Sequence, residues 1–147
     1  MTPQRRTLTS VLLLVSTIGD LALAALAIVW PGLWFRVIHG APRVDPEHML
    51  TRIGVLWLTF AIFHLVAWFL WKSRPYWLAI VAGMPLSEIF ADLSWMLAAD
   101  HMTVLGRVVL SLAGPANLFL AIFFVRSYLI ATRDGMRGAA GPAPASS

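Results

Sequence analysis

Cysteine is absent from the 147 residues, which removes disulfides, thiolate metal sites, thiol nucleophiles and c-type haem attachment together. Charge is scarce as well: Asp, Glu, Lys and Arg make up 12% of the chain, about half the usual share in a soluble domain. No glycine-rich phosphate loop, Ser-His-Asp order or paired-carboxylate hydrolase signature occurs, so no motif names a reaction. Lysine is nearly missing, with Lys72 alone against ten arginines, a bias associated with GC-rich bacterial coding sequences.

What remains is apolar. Hydrophobic residues are 59% of the chain and the mean hydropathy is +0.78. That composition suits lipid as solvent and leaves room for one domain of about four spans of roughly 20 residues. The net charge of +4 does not point to nucleic acid, because the basic residues are scattered between apolar runs instead of sharing a face.

The expected architecture is all-α: a polytopic membrane protein built as a single antiparallel bundle of four transmembrane helices, 1–130. Apolar runs place the spans at about 8–30, 46–71, 76–99 and 104–127. The first resembles a signal peptide in its Arg5-Arg6 start, but it runs on to Trp30 and further spans follow. In the connector, Leu33, Trp34, Val37 and Ile38 share one face of a short helix, as a segment lying in the headgroup region would. Asp45-Pro46-Glu47 reads as an N-cap, a proline at the first helical position and a first-turn acid, starting the second span at Pro46. The turns at Lys72-Ser73-Arg74-Pro75 and Asp100-His101-Met102-Thr103 are short enough to make the helices they join antiparallel neighbours. The segment 131–147, small and Pro-rich, is expected to be a disordered cytoplasmic tail.

Basic residues near the span ends set the orientation. Arg5, Arg6, Lys72, Arg74, Arg126, Arg133 and Arg137 fall on one side, seven against the four of Arg36, Arg43, Arg52 and Arg107. This predicts a multi-pass protein of the bacterial inner (plasma) membrane with both termini cytoplasmic. Trp30, Trp34 and Trp95 would form the outer aromatic belt, and Trp68, Trp71, Tyr76, Trp77 and Tyr128 the inner one.

Three acids interrupt the apolar runs: Asp20, Glu88 and Asp92. A charged carboxylate at mid-membrane costs roughly 2.5–3.5 kcal/mol on insertion scales, so each needs a partner, a proton or water. Counting about 1.5 Å per residue puts Asp20, Glu88 and Asn117 near the midplane, Asp92 a turn further out on the face of Glu88, and Arg52 and Arg107 a turn inside the outer boundary. Two arginines could neutralise two acids, leaving one carboxyl that holds a proton. Arg52 and Arg107 could instead snorkel to the interface. Asp92 has the best-placed arginines by depth. The candidate ligand or proton site is therefore Asp20, Glu88, Asp92, Asn117, Arg52 and Arg107, with Pro85 and Gly114-Pro115 as helix breakers beside it. Two small-residue stripes, Ser16-Asp20-Ala24 and Gly83-Ser87-Ala91, are expected to let helices approach closely.

His39, His48 and His101, with Asp45, Glu47 and Asp100, are the only candidate metal donors, and none has the i, i+4 spacing of a helical metal site; no metal and no resident cofactor is expected. His64, alone deep in a span, is expected to be an interhelical hydrogen-bonding residue.

The stretch from Met49 to Trp95 carries Arg52, Gly54, the Arg74-Pro75 turn and the acid Asp92 between apolar runs. In these features it resembles the DoxX-like class of small four-helix bacterial membrane proteins. The resemblance implies a four-helix fold and, for some members, an accessory role beside quinone-linked oxidoreductases; it implies no catalytic residue. The expected function is a non-catalytic bundle binding a lipid, a quinone or a partner membrane protein in a polar cavity within the bilayer. Its alternative is a proton-coupled small transporter using one intramembrane carboxylate, and a membrane enzyme stands third.

Overall fold

The structure is a computed structural model describing residues 1–40, 48–99 and 101–139, with the side chains of 135 and 137–139 outside the description. Among the described residues it is all-α without a strand: α1 (Pro3–Val29), α2 (Pro31–Trp34), a π-helical turn (Phe35–His39), α3 (Met49–Leu70), α4 (Tyr76–Ala98) and α5 (Val104–Ala139). Four of these, α1, α3, α4 and α5, are long and apolar enough to cross a membrane. The chain is a four-helix membrane bundle.

Local chemistry sets the helix ends. Thr2 caps α1, accepting from the Arg5 amide at 3.4 Å, and Pro3 takes a first-turn position that needs no amide donor. Trp30, which precedes Pro31, is forced out of helical geometry and ends α1. Gly40, at φ 65°, closes the π-helical turn in the left-handed region that glycine enters without strain. Thr103 caps α5 by accepting from the Gly106 amide at 2.9 Å. Its hydroxyl also donates to the Val37 carbonyl at 2.7 Å, and its amide donates to the Ile38 carbonyl at 2.8 Å. This latch ties the connector to the start of α5. Gly106 makes it possible, since a Cβ there would lie 2.5 Å from the Ile38 carbonyl oxygen.

Several expectations need correction. Among the described residues the helix of the second span starts at Met49, with His48 at φ 54° in a left-handed conformation outside the helical region; Asp45, Pro46 and Glu47, where its start was expected, lie outside the described residues. The last helix runs to Ala139, past its expected end at 127, so 131–139 are helical rather than disordered. Adding residues to a formed helix is cheap, and the Met1 ammonium pairs with Asp134 on the added turns. At 36 residues the helix is about 54 Å long, so its last turns stand clear of the hydrocarbon. The expected disorder of 140–147 concerns residues outside the description.

The bundle is two tight helix pairs, α1 with α3 and α4 with α5, which meet less closely. At Gly54 the backbones of α1 and α3 nearly touch: a Cβ would lie 2.9 Å from the Ala27 Cβ and 3.4 Å from the Ala24 carbonyl. Across the short α3–α4 turn, by contrast, large side chains intervene, as in the contact of Phe63 with Trp77, ring centroids 6.1 Å apart. The helices joined by the shortest loop are therefore neighbours but not the closest pair. The Gly83-Ser87-Ala91 stripe faces outward and brings no helix of this chain close, contrary to expectation.

One apolar cluster lies toward the chain-end side (Leu13, Ala67, Trp71, Leu78, Val81, Ala82, Phe124) and another toward the connector (Ala24, Ala27, Trp34, Leu50, Trp57). Two tryptophans expected in the interfacial belts belong to these cores. Trp71 is buried, its indole donating to Ser10 Oγ at 3.3 Å. Trp34 is buried because the connector folds back into the bundle, with its ring stacked on that of Trp95 at 5.8 Å and tilted against that of Trp57 at 5.2 Å. Trp34 and Ile38 pack into the bundle while Leu33 and Val37 remain exposed, so the connector's apolar face is divided between the core and the outside.

Candidate functional site

Helix phase decides which polar residues face inward. On α3 the buried stripe is Leu50, Gly54, Trp57, Ala61, His64 and Ala67, at the i, i+3, i+4 spacing of one helix face. His64 is thereby held in the interior. On α1 the stripe Leu13, Thr17, Ala24 and Ala27 carries Asp20 between its turns. On α4 the row Leu78, Val81, Ala82 and Pro85 extends at the same spacing to Glu88 and Asp92, both half-buried. On α5, Asn117 falls in the row of Leu110, Ala121 and Phe124.

Two of the three acids are each held by a side chain of α3. Asp20 Oδ2 lies 2.8 Å from His64 Nδ1, joining α1 to α3. Trp57 donates its indole N–H to Glu88 Oε2 at 3.3 Å, joining α3 to α4. Asp92 follows Glu88 by one turn on the same face of α4. The His64 ring sits 6.3 Å from that of Phe124, so the imidazole stands where α1, α3 and α5 meet. His64 is 4% exposed, and its Nε2 is buried without a hydrogen-bond partner among the described residues. Ser16 Oγ, one turn from Asp20 on α1, is buried and unpartnered in the same way.

The two arginines do not join this group. Arg52 and Arg107 are exposed, and among the described residues neither lies within ion-pair distance of Asp20, Glu88 or Asp92. The expected Arg–carboxylate network is not formed. Helix phase is the reason: at 100° per residue, Arg52 points about 200° away from both Leu50 and Gly54, and Arg107 one residue off the Gly106–Leu110 stripe. Arg107 instead lines a separate cavity of about 270 Å³ with Met96, Met102 and Ser111. The ranking of the acids inverts accordingly. Asp92, expected to have the best cations, has no hydrogen bond or ion pair among the described residues, whereas Asp20 has His64 and Glu88 has Trp57. Asn117 faces the interior with no hydrogen bond to a described residue.

No protein-family model matches the chain, and no curated protein and no solved structure matches it. The chemistry of the site therefore rests on its geometry.

Sequence reasoning found the acids and read His64 as an interhelical hydrogen-bonding residue, which its contact with Asp20 bears out, but paired neither His64 with Asp20 nor Trp57 with Glu88. The signal for Asp20–His64 was available in the stripes: each polar residue is flanked at helical spacing by small residues, Thr17 and Ala24 on α1 and Ala61 and Ala67 on α3, which let the helices close around the pair. On the opposite side, His39 donates through Nδ1 to the His101 carbonyl at 3.2 Å, and its ring lies 5.1 Å from that of Trp95. Asp45, Glu47 and Asp100, the other donors considered for a metal, lie outside the described residues. Among the described residues no group of three His, Asp or Glu side chains could hold a metal ion.

Proposed function

We propose that this protein is a non-catalytic membrane bundle that binds a lipid-soluble molecule, a lipid or a quinone, through a carbonyl or hydroxyl at the seam between its helix pairs. One observation carries the reading: the buried His64 Nε2, unpartnered inside the protein, on a ring already oriented by Asp20. A buried polar atom without a hydrogen bond costs roughly 1–3 kcal/mol, and a ligand oxygen placed there recovers much of it. A partner membrane protein is the third occupant this reading admits. A place in the DoxX-like class of bacterial inner-membrane proteins belongs to the same reading, on the residues that carry that resemblance.

Proton-coupled transport is the second reading, favoured by three carboxylates within the spans, Asp20, Glu88 and Asp92, none of which has a guanidinium within ion-pair distance among the described residues. Charge balance in hydrocarbon would then depend on protons. Native mass spectrometry of chain purified from membranes tests the first reading: wild type should retain a lipid or quinone that the Asp20→Leu/His64→Leu double variant loses. Equal retention by both chains would sink it. In sealed vesicles the two readings separate, because a pH-driven uptake abolished by just one of Asp20→Asn, Glu88→Gln or Asp92→Asn belongs to a transporter and not to a binder.

The proposed orientation puts both chain ends in the cytoplasm, on the seven-to-four bias of basic residues. A periplasm-active reporter fused after Ser147 should stay silent. Activity of that reporter would reverse the orientation.

A further inference from the structure

A second cavity, of about 400 Å³, opens at the end of the bundle where Met1 lies, between the start of α1, the α3–α4 turn and the last turns of α5. Its wall holds three cationic groups, Arg6, Lys72 and the Met1 ammonium, against one acid, Asp134. Asp134 is already neutralised by the Met1 ammonium. Among the described residues, neither Arg6 nor Lys72 has an ion pair or hydrogen bond through its side chain, whereas the adjacent Arg5 donates to Ser127 Oγ at 3.3 Å and lies over the Phe123 ring. The cavity thus presents two uncommitted positive charges of different geometry, a planar fork and a point charge. Together these suit a phosphate oxyanion.

Helix stability does not account for Arg6. A cation in the first turn of a helix opposes the helix dipole, and the first turn of α1 has no acid to offset it. The cavity lies at the ends of three helices long and apolar enough to span a membrane, the depth at which lipid headgroups stand. Buried Trp71 forms the cavity floor. We propose that this cavity seats the phosphate of an anionic phospholipid, with Arg6 and Lys72 holding the headgroup. The site is separate from the seam at His64 and does not depend on what binds there.

The test is lipid retention by the delipidated full chain, measured by native mass spectrometry in an equal mixture of phosphatidylglycerol and phosphatidylcholine. Each basic residue near an anionic surface contributes roughly a fivefold preference, so wild type should favour phosphatidylglycerol by about fivefold or more. Arg6→Gln/Lys72→Gln should bring the ratio to near parity, while the charge-preserving Arg6→Lys/Lys72→Arg and the opposite-side Arg36→Gln should keep the preference. Parity in wild type, or a preference that survives Arg6→Gln/Lys72→Gln in chain that still melts with the wild type, overturns the proposal. Millimolar inorganic phosphate separates the sources: it should leave phosphatidylglycerol bound, and retention of phosphate in place of that lipid would make the ligand a free anion and overturn the lipid assignment.

Discussion

Asp20→Leu should destabilise the folded chain by about 1–3 kcal/mol, and adding His64→Leu should restore most of that loss. The single change leaves His64 Nδ1 as bare as its Nε2, on an imidazole 4% exposed where three helices meet. Removing both partners takes every orphaned polar atom of the pair with them and leaves an apolar contact in its place. In a soluble core, breaking a buried charged pair costs more, but helices separated within a bilayer stay in the same hydrocarbon and find other partners, which keeps interhelical couplings to about 1–2 kcal/mol. Unfolding by SDS titration in mixed micelles, run as a double-mutant cycle, reads the coupling directly. A double variant as unstable as Asp20→Leu would mean that the 2.8 Å contact is not what holds α1 to α3 at this depth.

Gly54→Val should be comparably damaging for a steric reason. A Cβ at Gly54 would lie 2.7 Å from Ile28 Cγ1 and 2.9 Å from Ala27 Cβ, distances at which one helix must move. Overpacking of this kind costs about 1–3 kcal/mol, and the shift separates α1 from α3 along the face that also carries Asp20 and His64. Ligand retention at the seam should therefore fall together with stability. Gly54→Ala should be milder, and Ala27→Gly added to it should recover part of the loss by giving the space back. Gly83→Ala is the control: nothing lies within 4 Å of a Cβ there, and replacing glycine by alanine in a helix gains about 0.8–1.0 kcal/mol. If Gly54→Ala and Gly83→Ala shift stability alike, close approach at Gly54 is not what pairs α1 with α3.

Much of this protein was legible as a list of spans. Length and hydropathy are local properties, and they located four helices and the turns between α3 and α4 and between α4 and α5. Disorder was expected from Gly and Pro content for 131–147, yet 131–139 are helical, because a formed helix extends cheaply and the Met1–Asp134 pair joins residues far apart in the chain.

The site divides along the same line. By themselves, the residues of the chain determined that lipid is its solvent, that four helices cross, and that Asp20, Glu88 and Asp92 must be satisfied inside, because transfer energies depend on residue type and depth alone. Which group satisfies each acid was decided only by the tertiary structure. A rotation of 100° per residue turns Arg52 and Arg107 outward while carrying His64 and Trp57 inward, and the close fit of Gly54 against Ala24 and Ala27 sets the register in which His64 meets Asp20. Pairing depends on phase and distance between helices far apart in the chain, and neither is a property of any one segment.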